Sequence, residues 1–146
     1  MTKNQTFSDF TDSLGVLTGA FKARIRTFFK EQDIPLTTEM LQVIRVLWKK
    51  DGVKQQEIAD AVSKDKVSIV YLLDNMTKRG LLERREDNSD RRNKIIVLTA
   101  EGRKIQGIVE TGLNEVIAEA VRNVSKDDLV KATAIFQTIT KTLLEG

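Results

Sequence analysis

Apolar and polar positions alternate along the chain in two rhythms, one helical and one strand-like. Over residues 10–32, Leu14, Leu17, Phe21, Ile25, Phe28 and Phe29 recur at the steps that line one helical face, with Ser8 and Asp9 placed to cap the start. Pro35 interrupts the pattern. Thr37 or Thr38 then caps a second helix carrying Leu41, Ile44, Val46, Leu47 and Trp48, which ends at the Asp51-Gly52 turn. Residues 55–62 form a short third helix. A fourth spans about 65–79 and stops at Gly80, since glycine readily takes the left-handed conformation that ends helices. Ser63 and Lys64 between them are the brief polar connection of a helix-turn-helix.

Beyond Gly80 the period shortens. Residues 82–86 and 94–98 read as two strands, joined by the turn-forming run Asp87-Asn88-Ser89-Asp90-Arg91-Arg92-Asn93. Thr99 caps a long helix to about Asn123, with Ile105, Ile108, Val109, Val116, Ile117, Ala120 and Val121 as its apolar members. Ser125, with Asp128 three residues on, resembles a capping box and opens a last helix bearing Leu129, Ile135, Phe136, Ile139 and Leu143.

Composition narrows the chemistry. A chain of 146 residues can bury roughly 70% of its unfolded surface, enough for one sizeable core. The net charge is only +3, but thirteen basic against nine acidic side chains fall within residues 45–94, so the excess sits in the middle third. With no Cys and no His, disulfides, thiolate redox switches, the usual zinc sites and a Ser-His-Asp triad are all excluded. No cofactor and no enzyme activity are expected. There is no apolar run of about 18 residues and no signal-peptide pattern over 1–10, so the expectation is a cytoplasmic protein with no membrane partner.

The fourth helix divides by face. Ile69, Leu72, Leu73 and Met76 recur at core spacing, and the opposite side exposes Lys66, Ser68, Val70, Tyr71, Asn75 and Lys78. That side mixes phosphate partners, base-edge readers and, in Val70, an apolar group able to meet a thymine methyl. Alone it reads first as a solvated helix face. The hairpin shifts the balance, because Arg84, Arg85, Arg91, Arg92 and Lys94 are gathered on a ribbon where no core needs them and a narrow minor groove attracts them. Two other readings compete. One is a helical protein-interaction module without specific DNA binding, its hairpin basic only for solubility. The other is a small hydrolase using Asp87 and Asp90. It is weakened by the surrounding Arg and Lys, which make those acids ion partners, and by the lack of an apolar pocket to raise either pKa.

The residues quoted so far resemble the MarR family of bacterial regulators over nearly the whole chain. The resemblance rests on Gln55 through Ala59, Asp65 through Met76, Lys78 through Leu82, and above all the run Asp90-Arg91-Arg92-Asn93-Lys94-Ile95-Ile96-Val97-Leu98-Thr99-Ala100-Glu101-Gly102. It implies a mainly α fold with a small β-hairpin wing. In that fold 37–98 form a winged helix-turn-helix, and 8–34 with 99–146 form a helical dimerisation region. Arg92 would enter the minor groove, with Asp90 orienting the tip. Lys66, Ser68, Val70 and Tyr71 would read the major groove, with Asn75 and Lys78 nearer the backbone. Val67 departs from the Ser or Thr common in that helix, and Lys54 from the usual capping Ser or Thr.

The family further implies a homodimer on double-stranded DNA, on a pseudo-palindromic operator with half-sites roughly 34 Å apart. The sequence agrees, since Phe10, Leu14, Leu17, Val121, Val124, Phe136, Ile139 and Leu143 exceed what a small winged helix can cover. Repression released by a small aromatic or phenolic ligand is also implied, with Phe21, Ile25, Phe28 and Trp48 as candidate lining. Cysteine-based sensing is excluded.

Overall fold

The computed structural model describes residues 1–62 and 66–146, except for the side chains of Lys66 and Val67. The expected Ser63-Lys64 connection and the expected helix start at Asp65 therefore lie outside the described residues. Met1–Leu113 and Asn114–Gly146 form two compact units, taken in turn.

The first helix, α1 (Lys3–Glu31), begins well before the apolar pattern does. Thr2 and Gln5 supply the reason. The Thr2 hydroxyl accepts from the Gln5 N–H at 3.2 Å, and the Gln5 side chain accepts from the Thr2 N–H at 2.8 Å, a complete capping box. Ser8 and Asp9 lie inside the helix and do not cap it. Thr37 caps α2 (Thr38–Lys49), its hydroxyl accepting from the Met40 N–H at 3.1 Å. After the turn at Gly52, whose φ of 71° favours glycine, comes β1 (Val53–Lys54). No periodicity predicts so short a strand. Then follow α3 (Gln55–Ala61) and α4 (Lys66–Lys78), β2 (Leu82–Glu86) and β3 (Lys94–Leu98).

The three strands form one antiparallel sheet in the order β1-β3-β2. Leu82 stands opposite Leu98 and Arg84 opposite Ile96, and Val53 faces Ile96 from the other side. This places Leu82, Ile96 and Leu98 in the core with Val43, Ile44 and Leu47 of α2, Ile58 of α3, and Ile69, Leu73 and Met76 of α4. Complete burial of each such side chain stabilises the fold by about 1.5–3 kcal/mol.

The Leu-Thr-x-x-Gly run has a packing reason. Thr99 caps α5 (Ala100–Lys104) by accepting from the Gly102 N–H at 3.1 Å, and its hydroxyl donates to the Gly80 carbonyl at 2.6 Å. A Cβ at Gly102 would run into the Leu81 carbonyl. Asp51 fastens the same corner: its carboxylate accepts from the N–H groups of Gly52 at 2.8 Å and Leu98 at 2.9 Å and from the Arg103 guanidinium at 2.8 Å. The single long helix expected after Thr99 is divided at Ile105 into α5 and α6 (Gln106–Ala120). The hydrogen-bond ladder nevertheless continues, from Ile105 N–H to Glu101 and from Val109 N–H to Ile105. The helix ends at Ala120, short of Asn123.

The second unit holds α7 (Lys126–Glu145), capped by Ser125 accepting from the Asp128 N–H at 3.1 Å. None of its twenty residues is buried, and Leu143 and Leu144 are 71% and 82% exposed. No helix among the described residues is long and apolar enough to cross a membrane.

Candidate nucleic-acid interface

The helix α4 is held on one side and open on the other. Ile69, Leu73 and Met76 are fully buried and Leu72 half-buried, whereas Ser68, Val70, Tyr71 and Lys78 are exposed, Tyr71 at 70%. Asn75, expected on the open face, is half-buried on its flank. The expected reader Lys66 begins the helix, but its side chain lies outside the described residues. At the other end the N–H groups of Gly80 and Leu81 turn back on the carbonyls of Thr77 and Met76, both at 3.0 Å, with Gly80 at φ 75°. Arg79 donates to the Pro35 carbonyl at 3.2 Å. The exposed side chains therefore ride on a helix anchored by its core face and its C-terminal end.

The tip between β2 and β3 is built from two aspartates that each bond two residues ahead. The Asp87 carboxylate accepts from the Ser89 hydroxyl at 2.7 Å and N–H at 3.0 Å. The Asp90 carboxylate accepts from the Arg92 N–H at 3.0 Å and Nε at 3.2 Å. Such side-chain turns shape a loop without apolar residues. They leave Arg91 exposed and Arg92 91% exposed, with its guanidinium aligned on Asp90. The hydrogen bonds from Ser89 also hold the Asp87 carboxyl below its ordinary pKa.

The remaining wing cations are placed differently from one another. Arg85 pairs with Glu83 at 2.6 Å on one face of β2, and Lys94 lies 4.0 Å from Glu86. Arg84 is on the opposite face and reaches α4, with Nη1 2.7 Å from Asp74. An open cleft of about 300 Å³ is lined by Lys54, Gln55, Gln56, Ala59, Ile69, Arg92, Asn93 and Lys94. Among the described residues three cations and no carboxylate line it, which suits a polyanion backbone. The contribution of Lys54 was hidden in the sequence because it depends on β1 pairing Lys54 with Ile95, next to Lys94.

The four residues expected to line a ligand pocket are members of the core or its edge. Ile25 is buried, and Phe21, Phe28 and Trp48 pack half-buried against the core. The Phe28 ring covers Gly112, and the Trp48 indole N–H donates to the Gly102 carbonyl at 2.9 Å. Among the described residues no group of three or more acidic, His or Cys side chains is arranged to hold a metal.

Residues 36–102 match the family described as the winged helix DNA-binding domain, a span that takes in α2, the sheet, α3, α4 and the start of α5. A MarR-family transcriptional regulator from Rhodococcus sp. RHA1 superposes with a TM-score of 0.75 at 22% identity, covering 90% of this chain and 92% of that one. The chain thus has the fold seen in MarR-family structures, with 36–102 similar to a winged helix DNA-binding domain. The same MarR fold is found in CouR from Rhodococcus jostii RHA1, bound to p-coumaroyl-CoA, at a TM-score of 0.76 and 24% identity over 90% of this chain and 91% of CouR. In sequence, the transcriptional regulator HosA of Escherichia coli O157:H7 is 34% identical over 76 residues, 51% of this chain. The match spans little more than half of HosA, 56% of its length.

Proposed function

We propose that this chain is a sequence-specific DNA-binding transcriptional regulator, a cytoplasmic homodimeric repressor that grips a pseudo-palindromic operator and is released by a small aromatic or phenolic ligand. The observation that carries the reading is the winged helix match over 36–102, which encloses an anchored helix with an open face and a wing tip with exposed arginines. Ser68, Val70 and Tyr71 would meet base edges in the major groove, Lys66 and Lys78 the phosphates beside it, and Arg92 the adjacent minor groove. Asn75, half-buried, would act from the helix flank.

Three further features support the finer parts. A helix of twenty residues with none buried needs a partner surface, and a second copy supplies one with two-fold symmetry. HosA is a transcriptional regulator. CouR, of the same fold, is bound to the thioester of an aromatic acid. A ligand of that kind releases DNA only by preferring the conformation whose recognition helices are misplaced. Hydrolysis by Asp87 and Asp90 is disfavoured by their hydrogen bonds to Ser89 and Arg92, since a general acid needs a raised pKa and that of Asp87 is lowered.

The test is selection of the purified protein on random duplex DNA, followed by titration of the best site against salt. An inverted repeat, with a salt slope corresponding to about 6 to 10 phosphate contacts per dimer, supports the proposal. Weak binding without sequence preference at low salt would refute it and favour a helical protein-interaction module.

A further inference from the structure

Arg84 stands apart from the other cations of the wing. On β2 it shares a face with Leu82, and the register sets it opposite Ile96, over the core. Its guanidinium extends to α4, where Nη1 lies 2.7 Å from the Asp74 carboxylate and Nη2 donates to the Val70 carbonyl at 3.4 Å. Its side chain is 27% exposed, against 91% for Arg92. A planar guanidinium can hold a carboxylate and a carbonyl with different edges at once. Here the two acceptors lie four residues apart, one turn of the helix that presents Val70 and Tyr71.

We propose that Arg84 is a positioning residue for DNA and not a phosphate contact. Together with Asp74 it forms a strap that sets the wing against the reading turn of α4, so that both elements arrive at neighbouring grooves in register. The inference rests on the DNA-binding reading above. It reverses the role that charge alone assigns to two residues: Arg84 works through the protein, and Asp74 favours binding of a polyanion.

The sign of one effect decides it. An acidic side chain near phosphates repels them, so on electrostatic grounds alone Asp74→Ala raises affinity for DNA. If the strap orients the helix, the same change lowers affinity.

The experiment measures Kd against salt, on the duplex selected by the intact protein, for wild type, Arg84→Ala, Asp74→Ala, Arg92→Ala and the exchanged pair Arg84→Asp with Asp74→Arg. Each single change in the strap is expected to weaken binding about tenfold, the size of coupling within a hydrogen-bonded pair. The salt slope stays at the wild-type value, whereas Arg92→Ala reduces it by about 1. The exchanged pair recovers most of the affinity. A merely structural role would lower the melting temperature without this recovery in affinity. Tighter or unchanged binding by Asp74→Ala, or a reduced slope for Arg84→Ala, overturns the strap. Should a single variant be unfolded at the assay temperature, Arg84→Lys replaces it, with weaker binding at unchanged slope expected and wild-type binding contrary. Absence of sequence preference in the wild type overturns both readings, whereas a tight wild type with an insensitive Asp74 overturns the strap alone.

Discussion

The indole N–H of Trp48 donates to the carbonyl of Gly102 at 2.9 Å, joining α2 to the first turn after the wing. The joint is tight because a Cβ at Gly102 would meet the Leu81 carbonyl. Gly102→Ala is therefore expected to destabilise the fold by about 1–3 kcal/mol, the usual cost of overpacking. Trp48→Phe loses one hydrogen bond and is expected to cost about 1 kcal/mol. Urea unfolding followed by circular dichroism checks both, and in Gly102→Ala the fluorescence of the chain's one tryptophan reports on the joint directly.

Asp51 makes the same corner sensitive to acid. Burial acts to raise its pKa, but the hydrogen bonds from Arg103, Leu98 and Gly52 together with the Arg103 charge outweigh burial and leave it lowered. A carboxylate lowered in the folded state contributes stability that is fully present above the unfolded pKa, ~3.9, and lost as pH falls through the folded value. Asp51→Asn should thus melt below wild type at neutral pH. The two curves should converge in acid below the lowered pKa, as scanning calorimetry at a series of pH values would show.

Arg92 separates binding from stability. Its side chain is 91% exposed and touches only the tip, so Arg92→Ala is expected to change stability by no more than about 0.5 kcal/mol. The same variant should lose DNA affinity about 5- to 150-fold, a discrimination of roughly 1–3 kcal/mol for a groove contact. A filter-binding titration beside a thermal melt compares the two; equal losses in both would contradict the assignment.

The exposed apolar positions of α7 give a test of association. Ile135 and Leu144 are 53% and 82% exposed, so lysine at both sites removes little packing from a single chain. Their joint replacement is expected to shift the protein from dimer to monomer in sedimentation velocity. A double variant that sediments like wild type would place the dimer contact elsewhere.

Much of this arrangement is legible in the sequence, and the exceptions share a cause. Ile69, Leu73 and Met76 announce the buried face of α4 because burial writes a strong 3.6 period, and the exposure of Val70 and Tyr71 follows from it. The start of α1 is missed because the turns after Thr2 are polar and carry no apolar rhythm, although Thr2 and Gln5 spell a capping box. β1 has two residues, too few for any period, and its partner Ile96 is distant in sequence. Charge alone groups Arg84 with the other wing cations. Alternation along β2 could have separated it, since it shares a face with Leu82 and Arg85 does not. What alternation cannot supply is Asp74 at the far end of its reach, because that depends on how the sheet meets α4.

The pairing of Val53 with Ile96 closes a loop of about forty residues that contains α3, α4 and the outer part of the wing, at an entropic cost that grows only slowly with loop length. The open face of α4 and the wing tip thereby become interior to one loop closed by backbone hydrogen bonds, tied at a two-residue strand. Substitutions on the open face of α4 or at the tip leave that closure untouched, because neither takes part in the β1–β3 pairing.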